Sequence, residues 1–244
     1  MAEPERGAAL VTGASRRIGR VLALTCADAG YDVAIHCRTI DDDAESAAAE
    51  IRARGRKAAL FTADLRKEAE TAPLVGSVEG ELGPVSLLVN SASVFEEDAF
   101  ASMNRHSWDL HMETNLRGPL VLAQAFARRV TAERRGLIVN ILDQRVWRTR
   151  PDFFSYSLSK AALWEATKMM AQALAPRIRV NGVGPGPVLP SIHQQGNDFE
   201  DEAASTLLRQ AVDPAEIGQA LRYLIDAPSV TGQMIAVDSG QHLT

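Results

Sequence analysis

The chain has 244 residues, of which 46% are hydrophobic and 23% charged, with a formal net charge of -5. This composition gives one substantial core, and the acidic balance argues against a nucleic-acid surface. Two cysteines, Cys26 and Cys37, both inside apolar patterns, exclude a disulfide framework. No basic region followed by an apolar run opens the sequence, and no uncharged apolar stretch has membrane-spanning length, so a reduced, cytoplasmic protein is expected.

Ala8 to Thr12 reads as a short strand, and a helical pattern follows from Arg16 to Ala29. Between them lies Thr12-Gly13-Ala14-Ser15-Arg16-Arg17-Ile18-Gly19. A strand, a glycine turn and a helix start present free backbone N–H groups and a helix dipole to a phosphate. Gly13 permits the tight turn and Gly19 close packing of helix on strand, whereas Arg17 replaces the middle glycine of the usual pattern. An ordinary strand-to-helix turn is the competing reading.

The second strand, Asp32 to Cys37, runs into Arg38-Thr39. A dinucleotide fold that holds unphosphorylated ribose places an acid at this end, and none stands at His36, Cys37 or Arg38. Arg17 and Arg38 offer two cations instead, which favours NADPH over NADH. Asp41, Asp42 and Asp43 are expected to favour the start of the helix running to Arg54. The third strand, Lys57 to Ala63, leads to Asp64-Leu65, where the acid either meets an adenine amino group or caps the helix beginning near Lys67. A fourth strand, Val85 to Val89, precedes Asn90-Ser91-Ala92-Ser93, small residues that let backbone approach a flat cofactor. Phe95 is then a stacking wall for a planar substrate or a core plug.

A long helix is expected from Arg105 to Val130, disturbed near Asn115 by poor propensity and by Gly118-Pro119. Such a distortion can expose a carbonyl and hold a water beside a lysine. Gly136 to Leu142 makes a fifth strand ending at Asp143, and Gln144 to Asp152 a polar loop. Within the helical run Phe153 to Ala175, Tyr156 and Lys160 are four residues apart and share a face. A phenol titrates near ~10, and lowering that by about 3 units requires roughly 4 kcal/mol of stabilisation from a neighbouring ammonium. The pair therefore suits a general acid.

Arg177 to Val183 reads as a sixth strand, Gly184 to Pro187 as a rigid turn, and Val188 to about Glu202 as an irregular lid. Asp213-Pro214-Ala215-Glu216 is a helix start with cap, proline and acid in order. Met234 to Val237 makes a last strand. The alternation of about seven strands with helices, without an interior linker, predicts an α/β fold over residues 1–244. It is one doubly wound, Rossmann-type parallel sheet with helices on both faces. The five histidines show no metal-ligand spacing, and no metal is expected.

Thr12 to Gly19, Asp64-Leu65, Asn90 to Ser93, Asn115, Tyr156 to Lys160 and Arg179 to Gly186, in this order, resemble the short-chain dehydrogenase/reductase family over nearly the whole chain. The resemblance implies NADP(H) held by Gly13, Ser15, Arg16, Arg17, Ile18, Gly19, His36, Arg38, Thr39, Asp64, Leu65, Asn90, Ser91, Ala92, Ser93, Tyr156, Lys160, Pro185, Gly186 and Val188. It implies Tyr156 as proton donor, Lys160 as the group that acidifies it, and Asn115 as part of a relay through water. It also implies a homotetramer, with which the face of the central helix carrying Trp164 is compatible. Most members carry serine where Asp143 stands, and a carboxylate cannot donate as a hydroxyl does unless protonated. Asp143 together with Arg17, His36 to Thr39, Asn90 to Phe95, Gly182 to Gly186 and Gly240 to Leu243 is similar to the pteridine reductase branch. That implies a pterin-like substrate bound by Arg17, Ser93, Phe95, Asp143 and Tyr156, with hydride going to the carbon of a C=N bond and protons coming from Asp143 and Tyr156. Reduction of a ketone or 3-oxoacyl thioester, and a catalytically silent NADP(H)-binding protein, are the other readings.

Overall fold

In the computed structural model, which describes residues 6–191 and 193–244, the apolar runs become seven strands. They are β1 (Ala8–Thr12), β2 (Asp32–Cys37), β3 (Ala58–Thr62), β4 (Val85–Asn90), β5 (Gly136–Ile141), β6 (Ile178–Pro185) and β7 (Met234–Val237). The helices are α1 (Arg17–Asp28), α2 (Asp42–Ala53), the single turn α3 (Glu68–Thr71), α4 (Leu74–Leu82), α5 (Arg105–His111), α6 (Gly118–Ala127), α7 (Phe154–Leu174), α8 (Asp198–Ala204) and α9 (Pro214–Asp226). The strands form one parallel sheet in the order β3-β2-β1-β4-β5-β6-β7.

Successive strand residues face opposite sides, so each continuous apolar run feeds two cores. Ala9, Val11, Val33 and Ile35 pack with Leu22 of α1, Ile51 of α2 and Leu221 of α9. Ala8, Leu10, Ala34 and Leu88 pack with Val75 of α4, Phe126 of α6 and Ala171 of α7. The expected doubly wound sheet is therefore present. Cys26, on α1, and Cys37, at the end of β2, are free and buried. Caps read from the sequence also form: Asp41 accepts from the Ala44 N–H at 3.0 Å to start α2, and Asp213 from Ala215 N–H at 2.8 Å to start α9.

Four expected boundaries change. The long helix from Arg105 is interrupted by a π-helical turn, Met112–Arg117, and resumes as α6. The sixth strand continues through Pro185, because Gly184 and Pro185 pair with Ala236 and Val237 of β7. Pro185 is tolerated there because β5 pairs with β6 only as far as Val183, leaving no partner on one side. The lid is not wholly irregular: it contains α8, whose first turn carries Asp198, Glu200 and Asp201 as its dipole favours. Phe153 lies outside its helix, in a left-handed conformation with φ 49°. Among the described residues, no helix is long and apolar enough to cross a membrane, and no group of His, Cys, Asp or Glu is arranged to hold a metal ion.

Candidate active site

Chain connections leave β1 and β4 in opposite directions, so a crevice opens between their carboxyl ends, the usual place for a ligand in such a sheet. Gly13 lines it with φ 64°, and a Cβ there would sit 2.9 Å from the Ala92 Cα. A Cβ on Gly19 would lie 2.0 Å from the Gly13 carbonyl oxygen. Both glycines are therefore required by close approach. The buried Thr12 locks the two sides together: its Oγ1 accepts from the Ser91 and Ala92 N–H groups, each at 3.0 Å. His36, also buried, accepts the Gly13 N–H at its Nδ1 (3.4 Å) and places Nε2 3.1 Å from the Ala63 carbonyl, so Nε2 carries the proton. Burial lowers its pKa and keeps the ring neutral. His36 is thus a brace of the glycine turn.

Arg38 and Thr39 are exposed where β2 ends, and Arg16 is exposed at the start of α1, with Ser15 and Ile18 on either side. Arg17 departs from expectation. It holds φ 52°, the conformation its missing glycine would have supplied, and its guanidinium donates to the carbonyls of Leu189 and Pro190 at 3.2 and 2.9 Å. It ties the glycine turn to the lid. Asp64 does not cap a helix with its side chain. Its carboxylate grips the Arg66 guanidinium, with a shortest contact of 2.6 Å, and that pairing holds its pKa down at about 2. Leu65 is buried below it, against Gly118. Gly186 packs where a Cβ would meet Asp238 Cα at 2.6 Å, flanked by Pro185 and the buried Val188.

Beyond β5, Asp143 begins a single 3-10 turn, Gln144–Val146, and its Oδ1 accepts the Arg145 N–H at 2.8 Å. Its Oδ2 accepts the Tyr156 hydroxyl at 2.7 Å. Lys160, 3% exposed, donates from Nζ to the Ile141 carbonyl at 2.8 Å and lies 5.7 Å from the centre of the Tyr156 ring. The expected acidified phenol is not found. Burial, followed by the adjacent Asp143 charge, pushes the Tyr156 pKa well above its ordinary value. Burial also raises the Asp143 pKa, while it lowers that of Lys160 to about 8. The result is a neutral phenol hydrogen-bonded to a carboxyl group that takes up a proton readily.

Asn115 occupies the π-helical turn, a distortion that recurs at functional sites. Its side-chain oxygen accepts from Val94 N–H at 2.8 Å and Ser93 Oγ at 3.2 Å; its amide donates to the Val94 carbonyl at 2.9 Å and Ser159 Oγ at 3.1 Å. Those contacts occupy the side chain as a cross-brace. Asn90 donates to Asn140 at 2.8 Å, and Asn140 to Thr167 at 2.8 Å, continuing the bracing beneath the crevice.

Phe95 forms a wall above this floor. Its ring stacks on Phe153 at 4.0 Å with 10° between planes, and meets Tyr156 edge-on at 4.7 Å. The Arg145 guanidinium covers Phe153 at 5.3 Å and is held by Asp152 at 3.0 Å. From the lid, His193 places Nε2 2.8 Å from the Phe95 carbonyl. The sequence alone did not identify Asn140, Phe153, Arg145 or His193 as parts of this site, and it named Thr12 only as the first residue of the glycine motif. Only Arg145, two residues past a candidate acid, carried a local signal.

The short chain dehydrogenase family pattern matches residues 7–201. A 3-oxoacyl-[acyl-carrier-protein] reductase FabG of Staphylococcus epidermidis is 31% identical over 240 residues, covering 96% of this chain and 98% of its own. The crystal structure of FolM Alternative dihydrofolate reductase 1 from Brucella suis, in complex with NADP, superposes with a TM-score of 0.94 at 44% identity, covering 98% of this chain and 96% of that one. A blue fluorescent protein from a metagenomic library, in complex with NADPH, gives 0.89 at 30% identity, covering 96% of this chain and 97% of that one. A glycine-lined crevice, a buried tyrosine–lysine pair and these matches agree: the chain belongs to the short chain dehydrogenase family.

Proposed function

We propose that the protein is an NADPH-dependent reductase that saturates a C=N bond of a pteridine, a dihydropterin or dihydrofolate-type ring. The observation that carries this reading is the buried contact of 2.7 Å between the Tyr156 hydroxyl and Asp143 Oδ2. Likeness at 44% identity to a protein named an alternative dihydrofolate reductase supports the same substrate class. The crevice suits the cofactor: Gly13 and Gly186 leave no room for a side chain, and exposed cations stand at Arg16 and Arg38. Residues 13–19 would hold the pyrophosphate, Arg38 and Thr39 the ribose phosphate, Asp64 and Leu65 the adenine. Residues 90–93, Lys160 and residues 185–188 would hold the nicotinamide half. When bound, the cofactor supplies the hydride.

The chain's own residues handle the proton. A ring nitrogen that gains electron density requires a donor within hydrogen-bond reach, and a neutral phenol is one at any pH below its raised pKa. As Tyr156 gives its proton to that nitrogen, a protonated Asp143 replaces it, so no phenolate persists beside a buried carboxylate. Lys160 keeps a positive charge close by through most of the neutral range, with a pKa of about 8. Phe95 would supply the flat wall for the ring and Ser93 its polar edge, while Arg17 would hold the lid over it through Leu189 and Pro190.

Reduction of a 3-oxoacyl thioester is the second reading, favoured by the FabG relative at 31% identity. Asp143 weighs against it: a serine hydroxyl donates to a carbonyl oxygen at any pH, whereas Asp143 donates only once protonated and, while ionised, opposes the negative charge developing there. NADPH consumption separates the two when the protein is given a dihydropterin, dihydrofolate or a 3-oxoacyl thioester. Turnover of a reduced pterin is the expected result; turnover of the thioester alone would reverse the assignment.

A further inference from the structure

The catalytic helix begins without a cap of its own. Phe153, the residue before α7, has left-handed backbone and offers no side-chain oxygen, so the first N–H groups of the helix need acceptors from elsewhere. One residue from another part of the chain supplies acceptors for the first two. The Asp98 carbonyl accepts the Phe154 N–H at 3.0 Å, and its Oδ1 accepts the Ser155 N–H at 2.9 Å, while Oδ2 takes the Ser155 hydroxyl. Ser155 Oγ in turn lies 2.7 Å from His111 Nδ1. His111 accepts the Glu96 N–H at Nε2 (3.1 Å), which places its ring proton on Nδ1, facing Ser155 Oγ and the Ser107 carbonyl at 2.8 Å. Asp98, His111 and Ser155 are all buried, at 6%, 0% and 0% exposure.

This network has a particular location. Ser155 immediately precedes Tyr156, and Glu96 immediately follows Phe95. Tyr156 and Phe95 meet edge to face at 4.7 Å. One carboxylate therefore fixes both the start of the helix that carries the phenol and the loop that carries the aromatic wall. Free to shift by a single ångström, the phenol would lose its alignment with a ring held against Phe95. Displacements of that size far from the reacting atoms cost enzymes about 100-fold in rate.

We propose that Asp98 is a positioning residue, a remote cap that sets the Tyr156 hydroxyl against the substrate wall through Ser155. This rests on the reading of Tyr156 as proton donor. The test compares wild type with Asp98→Ala, Asp98→Asn and Ser155→Ala, measuring kcat and KM for dihydropterin, NADPH affinity, thermal midpoint and the spectrophotometric titration of Tyr156 against a Tyr156→Phe blank. Asp98→Ala is expected to lower kcat about 10- to 100-fold with NADPH affinity within about twofold of wild type. Asp98→Asn, which keeps an acceptor for the Ser155 N–H, recovers most of that loss, and Ser155→Ala falls between. The titration of Tyr156 moves in Asp98→Ala whether or not any substrate is turned over, because the phenol leaves its fixed distance from Asp143. A lowered thermal midpoint with unchanged kcat and unchanged Tyr156 titration would overturn the proposal and leave Asp98 a plain helix cap. Should Asp98→Ala not fold, wild-type kcat and titration in both other variants would overturn it equally. Failure of wild type itself to reduce any pterin defeats the functional reading alone, since the titration still reports on Asp98.

Discussion

Replacing Asp143 with asparagine keeps the shape of the side chain and removes its charge. In the native site, ionising Tyr156 places a phenolate oxygen 2.7 Å from a carboxylate oxygen. With an effective dielectric constant of ~20, two unit charges at that distance repel by about 6 kcal/mol. Separation of the pair to ~5 Å would reduce this to about 3 kcal/mol, so the repulsion is substantial at either distance and the Tyr156 pKa is expected to fall in Asp143→Asn. The Lys160 pKa, which the Asp143 charge raises, drops further below its native value of about 8. An ultraviolet titration of the apoprotein measures the phenol directly. The chain has three tyrosines, Tyr31, Tyr156 and Tyr223, so a Tyr156→Phe background isolates the one concerned. Turnover of a dihydropterin should decline by about 100-fold or more, since the proton store is gone. If Tyr156 titrates at the same alkaline pH with and without the charge, the electrostatic account of the pair is wrong.

Two further outcomes follow from packing and linkage. Gly13→Ala puts a Cβ 2.9 Å from the Ala92 Cα at a residue with φ 64°. It should cost about 1–3 kcal/mol in denaturant unfolding and weaken NADPH binding more than it alters secondary structure by circular dichroism. Lys160, with a folded pKa of about 8 against an ordinary 10.5, releases its proton in the native state before the unfolded chain does. Its burial penalty is therefore present in full below pH ~8 and is relieved as pH rises from there toward ~10.5, by about 3 kcal/mol in all. Urea unfolding at pH 7 and pH 10 should show that Lys160→Met, compared with wild type, lacks this gain. An identical pH dependence in both proteins would mean that the ammonium is not desolvated as the structure indicates.

The order of strands and helices was legible because each strand is a continuous apolar run and each crossover a helix of period 3.6, which leaves little topological choice. The glycine turn was legible too, since Gly13 and Gly19 are demanded by contacts that a side chain would violate. Asp143, Tyr156 and Lys160 were found as residues, but the Tyr156 pKa moves up instead of down. Helical spacing sets Lys160 beside Tyr156, yet gives no hint that the ammonium turns to the Ile141 carbonyl while Asp143 takes the phenol. The π-helical turn left only an indirect trace in Asn115 and Gly118-Pro119, because shifting a backbone hydrogen bond by one residue needs no distinctive composition. Thr12, His36 and Asp98 act through partners tens of residues away, so their roles appear only once the sheet has brought those partners together.

The central claim is that a carboxyl group in place of a hydroxyl directs this site to a C=N bond. The most direct measurement is kcat/KM for a dihydropterin and for a 3-oxoacyl thioester, with NADPH, in wild type and in Asp143→Ser. Wild type should favour the dihydropterin, and Asp143→Ser should lower that preference by about 100-fold or more while NADPH affinity stays within about twofold. An equal loss on both substrates, or a matching loss of NADPH affinity, would contradict the account.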